Sequence, residues 1–204
     1  MINDRIAGIL DRIRALEDEL QEEVEKRREE LSYEIEDRKV RFSEGMRRLH
    51  RQYRTGLFEF LAGARLAHIA SAPVIYGLVV PLALLDLAVI VYQQICFRVY
   101  RIPLVRRSDH VVIDRQHLGY LNGIEKLNCV YCGYGNGVLA FAREVAARTE
   151  QYWCPIKHAR RIPSPHSRFG HFLDYGDAEA WRRELEKLRH EYDDLKPAGS
   201  VKQP

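Results

Sequence analysis

The spacing of apolar residues near the N-terminus predicts a long helix. Aliphatic side chains recur in alternating steps of four and three at Ile2, Ile6, Ile9, Ile13, Leu16 and Leu20, which is typical of a coiled-coil seam. The seam continues more loosely past the charged run 22–30, with a four-residue step that resembles a stutter. A helix over residues 2–54 would be about 80 Å long, too long to bury its seam against a small domain.

We therefore predict a coiled coil over residues 1–54 and a homo-oligomer formed through residues 2–53. A single solvated helix supported by ion pairs between residues four apart, such as Glu22 with Lys26, is the alternative. The sequence does not indicate the oligomer number.

A second pattern, the apolar run over residues 72–97, predicts a membrane segment within residues 55–100. It exceeds the 18 to 20 residues or so needed to cross a bilayer and holds one charged group, Asp86. A buried helix of a soluble protein is the alternative, but the rest of the chain has too little apolar surface to surround such a helix. Tyrosines and arginines at positions 92–101 place the end of the membrane segment near Phe97.

The arginines on either side of this segment predict its orientation. Residues 98–117 contain five arginines and residues 53–72 contain two, which favours a cytoplasmic C-terminal side. The charged N-terminus does not resemble a cleavable signal peptide. Two topologies remain open: a single span, or a re-entrant hairpin that turns near Gly77 and Pro81. In either, Asp86 is costly in hydrocarbon, so we expect it to have a structural hydrogen-bonding partner; proton or ion handling is the less favoured interpretation.

Cysteines supply the candidate chemistry. Cys129, Cys132, Cys154 and His158 form the pattern C-x2-C-x21-C-x3-H, which is close to the spacing of zinc-ribbon and treble-clef modules. Gly133 would allow a tight turn that points backbone N–H groups toward the thiolates. We predict zinc bound by these four residues in a cytoplasmic metal-binding module over residues 101–190. Iron in the same site, a thioredoxin-like redox pair and structural disulfides are alternatives.

The runs DRQHLGYLNGIEKLNCVYCGYGNG and EQYWCPIKHARR give the chain a resemblance to an uncharacterised family of bacterial membrane proteins without an assigned function. The resemblance covers about residues 110–177 and implies a bacterial inner membrane, but no activity.

Together these patterns predict a mainly α protein: a coiled-coil helix, a membrane helix or hairpin, a small zinc-ribbon or treble-clef-like module, and a disordered tail over residues 191–204. The expected function is a membrane-anchored oligomeric scaffold or adaptor whose metal-stapled module docks a protein partner. A membrane-associated metalloenzyme or redox protein is the alternative, in which Glu125 would act as acid or base and three histidines would extend the site: His117, His166 and His171. We favour the non-enzymatic interpretation because four ligands already close the site.

The charge pattern adds two expectations about partners. The formal net charge of +3 is small, and a membrane-tethered domain without a recognised module makes nucleic acid an unlikely partner. Membrane lipid is an expected partner, and a basic strip near the membrane exit could touch anionic headgroups or an acidic partner. An ordinary solvated loop is an equal alternative for this strip, whose members are Lys157, Arg160, Arg161 and Arg168.

Overall fold

The computed structural model describes residues 2–30, 33–36 and 39–195. The chain is mainly helical, as predicted. It divides into two compact units, the first formed by Met1–Ala72 with Ile113–Cys132 and the second by Pro73–Val112 with Gly133–Pro204. Two helices pass from one unit to the other, and each unit is otherwise considered by itself.

The N-terminal unit begins with helix α1, Ile2–Glu30, and an antiparallel hairpin of strands β1, Tyr33–Glu36, and β2, Lys39–Phe42. The prediction of one helix over residues 2–54 is therefore wrong. The hairpin pairs Tyr33 with Phe42 and Ile35 with Val40. Aromatic and β-branched residues at every second position favour strands. Two of them, Ile35 and Phe42, are seven residues apart and also fit the predicted helical seam.

Two short helices follow the hairpin in the first unit. Helix α2 spans Glu44–Gln52 and helix α3 spans Leu57–Ala62. The His50 ring packs edge-on between Phe42 and Tyr120, with ring centroids 4.7 and 5.0 Å away. This contact joins the hairpin, α2 and the segment before α7 within one unit.

The apolar run forms one helix from Leu66 to Tyr100, 35 residues in length. It consists of α4, Leu66–Gly77; α5, Val79–Tyr92; a π turn, Gln93–Phe97; and α6, Arg98–Tyr100. The chain does not reverse at Pro81. Pro81 lies in the first turn of α5, where a missing N–H is tolerated, and the Leu82 N–H donates across the break to the Leu78 carbonyl at 3.2 Å. Of the two predicted topologies, the hairpin is therefore wrong for this conformation.

The second unit packs around the C-terminal end of this helix. Helix α7, Gly123–Trp153, starts in the first unit and enters the second, and helix α8 spans Ala178–Leu188. A core of buried apolar residues joins the long apolar helix, the segment after it, α7 and the residues after α8: Phe97, Ile102, Val105, Phe141, Val145 and Tyr192.

The end of the second unit departs from the predicted disordered tail. Residues 191–195 pack against it, with Tyr192 buried in the core and Asp194 paired to Arg168. The rest of the predicted tail, 196–204, lies outside the described residues.

Candidate functional site

The four predicted metal ligands are carried by α7 and the loop after it. Cys129 and Cys132 lie within the helix, Cys154 follows its last residue, and His158 lies in the loop beyond. The residues between Cys132 and Cys154 are helical and rise about 30 Å, so they do not fold the two halves of the pattern together. Within residues 2–30, 33–36 and 39–195, no group of three or more His, Cys, Asp or Glu side chains is arranged to hold a metal ion.

The glycines after Cys132 serve helix packing instead of the predicted tight turn, so that prediction is wrong. A Cβ at Gly137 would lie 2.7 Å from the Val111 Cα and 2.8 Å from the His110 carbonyl oxygen, and one at Gly135 would lie 3.2 Å from the Leu82 side chain. Small residues on a helix face let neighbouring backbone approach closely. The local sequence is therefore explained by a long-range contact.

Residues 103–112, which we call the strap, run back along the long apolar helix after Tyr100. The buried Gln93 amide bonds both backbone groups of Val105, accepting from its N–H at 3.0 Å and donating to its carbonyl at 3.3 Å. Farther along the strap, Arg107 reaches Asp86. The strap thus passes from the level of Gln93 to that of Asp86, in the direction opposite to the helix.

Asp86 is buried in a polar cluster that the strap and α7 complete. The Arg107 guanidinium grips its carboxylate with two nitrogens, Nε at 2.9 Å from Oδ1 and Nη2 at 2.7 Å from Oδ2, and the Tyr134 hydroxyl donates to Oδ2 at 3.2 Å. Side-chain exposure is 9% for Asp86 and 38% for Arg107. Burial and the Asp86 carboxylate raise the pKa of Tyr134, so the phenol stays protonated and able to donate.

This cluster bears on the expected role of Asp86. The sequence predicted that Asp86 would need a partner but did not identify Arg107, which is 21 residues away. A fork of two hydrogen bonds within one chain is what a structural pair requires.

A second cluster surrounds Glu150 near the end of α7. Its carboxylate lies 3.1 Å from His166 Nε2 and 4.0 Å from His158 Nε2, and its backbone carbonyl accepts from the Cys154 N–H at 2.7 Å. Burial lowers the pKa of His166, although Glu150 opposes the shift. Of the predicted ligands, His158 thus lies near a carboxylate that the sequence analysis did not single out, and Cys154 bonds only the backbone of the same residue. Helical spacing could not have revealed this pair, because α7 ends at Trp153 and His158 lies in the loop beyond it.

A third cluster is built on Arg168, whose side chain is 1% exposed. Its guanidinium donates to Gln151 Oε1, to the Asp194 carboxylate and, at 2.9 Å, to the Glu191 carbonyl. It also lies 5.4 Å from the centre of the Tyr192 ring, a cation–π distance. The expected place of Arg168 in a lipid-facing basic strip is therefore wrong.

The same cluster shifts the ionisation of its neighbours. Burial disfavours the charged form of Asp194, but the hydrogen bond and charge of Arg168 outweigh it and hold the pKa of that carboxyl below its usual value. Burial raises the pKa of Tyr192 to about 12. His171 Nε2 lies 3.4 Å from the Asp194 carboxylate. These groups hold residues 191–195 against α7.

Glu125, the candidate acid or base of the alternative metalloenzyme interpretation, caps α7. Its carboxylate accepts from the Asn122 N–H at 2.8 Å, while Asn122 Oδ1 accepts from the N–H groups of Ile124 and Glu125 at 3.0 and 3.1 Å. This reciprocal arrangement is a capping box. His117 ends a 3-10 turn beside Gln116.

Comparison with known proteins gives no further guide to these clusters. No family model, curated protein or solved structure matches the chain. The resemblance to a bacterial membrane-protein family stays a prediction, and the function is argued from the residues themselves.

Proposed function

We propose that the chain is a membrane-anchored scaffold or adaptor, held by the helix Leu66–Tyr100 and presenting the part of the second unit beyond this helix to a protein partner. One observation carries the proposal. The helix is long and apolar enough to cross a bilayer, and only 6% of its most apolar 18-residue window is buried within the protein. A core helix of a soluble protein would be covered on most of its surface, so lipid is the natural cover for this one.

The polar clusters of the second unit support a scaffold over an enzyme. The guanidinium of Arg168 and the carboxylates of Asp86 and Glu144 bond mainly to other groups of the chain. Such networks hold elements in fixed positions. A rigid module at the end of a membrane helix is what docking requires.

Self-association forms part of the proposal. Apolar residues of α1 at the predicted seam are exposed in the single chain: Ile9, Ile13, Leu16, Leu20 and Val24. Pairing the seam with α1 of another copy would cover it. With α1 ending at Glu30, the paired region is about 43 Å long, half the length predicted from the sequence.

Orientation and metal binding complete the proposal. The arginines after Tyr100 support a cytoplasmic location for the module over residues 101–190. The bacterial inner membrane is proposed from the family resemblance alone. Zinc, with iron as the alternative, would be bound by Cys129, Cys132, Cys154 and His158. None of the three cysteines forms a disulfide with another described cysteine, and Cys132 and Cys154 are exposed. Joining the four ligands requires a rearrangement around α7.

Alkaline carbonate extraction of membranes from cells expressing the full chain tests the anchor. We expect the wild-type chain and the control Tyr175→Arg, which changes an exposed loop residue of the second unit, to stay in the membrane pellet. Val80→Arg, on the exposed apolar helix, should release a large fraction, because an arginine at the helix centre opposes insertion. Wild-type chain in the soluble fraction would contradict the proposal.

A further inference from the structure

We infer that Cys129 and Cys132 by themselves form a binding site for a soft, two-coordinate metal ion, Cu(I) foremost, on the intact helix α7. Both cysteines belong to the first unit. The inference goes beyond the proposed zinc site, because it uses two of the four ligands, a different class of metal ion and the conformation that the structure describes, without a rearrangement of the chain.

Helix α7 sets the spacing of the two thiols. It runs without a break from Gly123 to Trp153, so Cys129 and Cys132 are three residues apart on a continuous helix. Side chains at this spacing are neighbours on the helix surface, with Cβ atoms about 5–6 Å apart. A metal ion bound in line between two sulfurs holds them roughly 4–5 Å apart, since a metal–thiolate bond measures about 2.3 Å in zinc sites. Both thiols can therefore reach one ion from a helical backbone.

The same spacing opposes a disulfide between the two cysteines. A disulfide joins Cβ atoms that are about 3.5–4.5 Å apart, which is closer than a helix places them. Neither cysteine forms a disulfide with another described cysteine. The helix thus keeps the two sulfurs as separate thiols, and a thiol that loses its proton is a metal ligand.

The neighbouring side chains decide which metal ion suits the pair. Zinc takes four ligands in structural sites. The side chains with ligand atoms one turn away on the helix are Glu125, Asn128 and Asn136. The Glu125 carboxylate accepts from the Asn122 N–H at 2.8 Å, and amides are poor ligands for soft metals. In the part of the chain that the structure describes, no third His, Cys, Asp or Glu joins the pair in a metal-binding group. Two thiolates alone suit Cu(I), a soft ion that binds two sulfurs in linear coordination.

A cation beside the pair favours the complex. Binding releases the proton of each thiol, so two thiolates with one Cu(I) carry one net negative charge. Lys126 lies one turn before Cys129 on the same helix. Its ammonium group attracts this negative charge.

Packing is the alternative explanation for two cysteines on a helix. A cysteine without a metal or a disulfide commonly serves as a small buried side chain, and the half-buried Cys129 fits that role. Cys132 is exposed, so burial does not explain it. An exposed thiol beside a second thiol gives an ion in solution direct access to the site.

Competition for Cu(I) tests the site. The full chain in mild detergent is titrated anaerobically with Cu(I) in the presence of bicinchoninate, a chelator whose Cu(I) complex is coloured. We expect each wild-type chain to hold one Cu(I) against the chelator. Cys129→Ser and Cys132→Ser should each bind it about 10²–10⁴-fold more weakly, because the second thiolate then no longer acts at a high effective concentration. Circular dichroism checks that every variant remains helical.

Two double variants separate this site from other thiol chemistry of the chain. Cys132→Ser with Asn136→Cys keeps the number of thiols but moves the second one about 10 Å along the helix from Cys129, and it should bind as weakly as Cys132→Ser alone. Cys154→Ser with His158→Ala removes the other two ligands of the proposed zinc site and should bind Cu(I) with wild-type affinity. X-ray absorption of the wild-type complex should show two sulfur ligands and no nitrogen ligand.

Wild-type affinity in Cys129→Ser, or in the variant with the displaced thiol, would overturn the inference. Loss of Cu(I) from the variant without Cys154 and His158 would also overturn it, because the ion would then use the four-residue set. Zinc content, measured in parallel, answers a separate question. Wild-type protein that binds Cu(I) but no zinc would contradict the zinc site and leave this inference intact, and zinc binding without Cu(I) binding would do the reverse.

Discussion

Replacing Arg168 tests whether its buried cluster holds the second unit together. Arg168→Met keeps the length of the side chain but removes every donor. The Asp194 carboxylate and Gln151 Oε1 lose the hydrogen bonds from Arg168, the Glu191 carbonyl keeps only the one from Gln151 Nε2, and the cation over Tyr192 disappears. The substitution therefore removes one charged group and leaves two acceptors that must find another donor or water.

The magnitude follows from how well those acceptors can be hydrated. Breaking a fully buried ion pair costs about 3–5 kcal/mol. Asp194 is 34% exposed and recovers part of its hydration, so we expect a loss of about 2–4 kcal/mol in the free energy of unfolding. For a unit of this size, each kcal/mol lowers the melting temperature by roughly 4–8 °C. Arg168→Lys should restore little, since an ammonium group cannot reach the three acceptors as a planar fork does.

The assay is urea unfolding of the full chain in mild detergent, followed by the fluorescence of Trp181 and Trp153. Arg183→Met is the matched control: Arg183 bonds only Glu179 and Glu184 on the exposed face of α8, so its midpoint should stay at the wild-type value. A midpoint for Arg168→Met equal to that of the control would refute the reasoning, because it would mean that the cluster adds nothing to the stability of the second unit.

Three further predictions follow from the sites described above. Asp194 and Glu144 have pKa values below their usual range, because Arg168 outweighs burial at Asp194 and Ser167 and Arg148 outweigh it at Glu144. The free energy of unfolding should therefore decrease as pH falls below the usual carboxyl pKa of about 4. Urea titrations at a series of pH values should show a shallower decrease for Asp194→Asn than for the wild type. Gly137→Ala should destabilise the chain by about 1–3 kcal/mol because its Cβ would meet the strap backbone, while Gly123→Ala, with open space around it, should not lower the midpoint. Elemental analysis of protein purified without nickel should find one zinc per chain, lost in Cys129→Ser; wild-type protein without metal and with an unchanged fold would contradict the metal proposal.

The long apolar helix could be predicted from the sequence because its signal is local. A long apolar run needs no knowledge of the rest of the chain, and the structure forms one helix over it. The N-terminal helix could be predicted only to Glu30. Beyond it, Ile35 and Phe42, seven residues apart, fit both a helical seam and a strand pattern, and the pairing of β1 with β2 favours the strands.

The candidate site was much less readable because its determinants are far apart in the chain. Gly133 after Cys132 suggests a turn, but the structure buries this glycine within α7, and the neighbouring Gly137 faces the strap. The energetic cost of Asp86 could be predicted from its position, whereas its partner Arg107 depends on how the chain returns. Glu150 does not stand out in the sequence, because a single carboxylate on a charged helix is common.

Because Arg107 lies in the strap, Asp86 is synthesised before the residue that neutralises it. Helices α5 and α7 run in the same direction, with Leu82 beside Gly135 and Tyr92 beside Thr149. A short loop cannot join two such helices, and the strap is part of the longer connection between them. Asp86 leaves the ribosome before Arg107, and at about 5–20 residues per second the delay is roughly 1–4 s. During that interval the nascent helix offers the insertion machinery a carboxylate without its counter-ion. In the proposed membrane anchor, the cost of burying Asp86 is therefore highest before Arg107 has been synthesised.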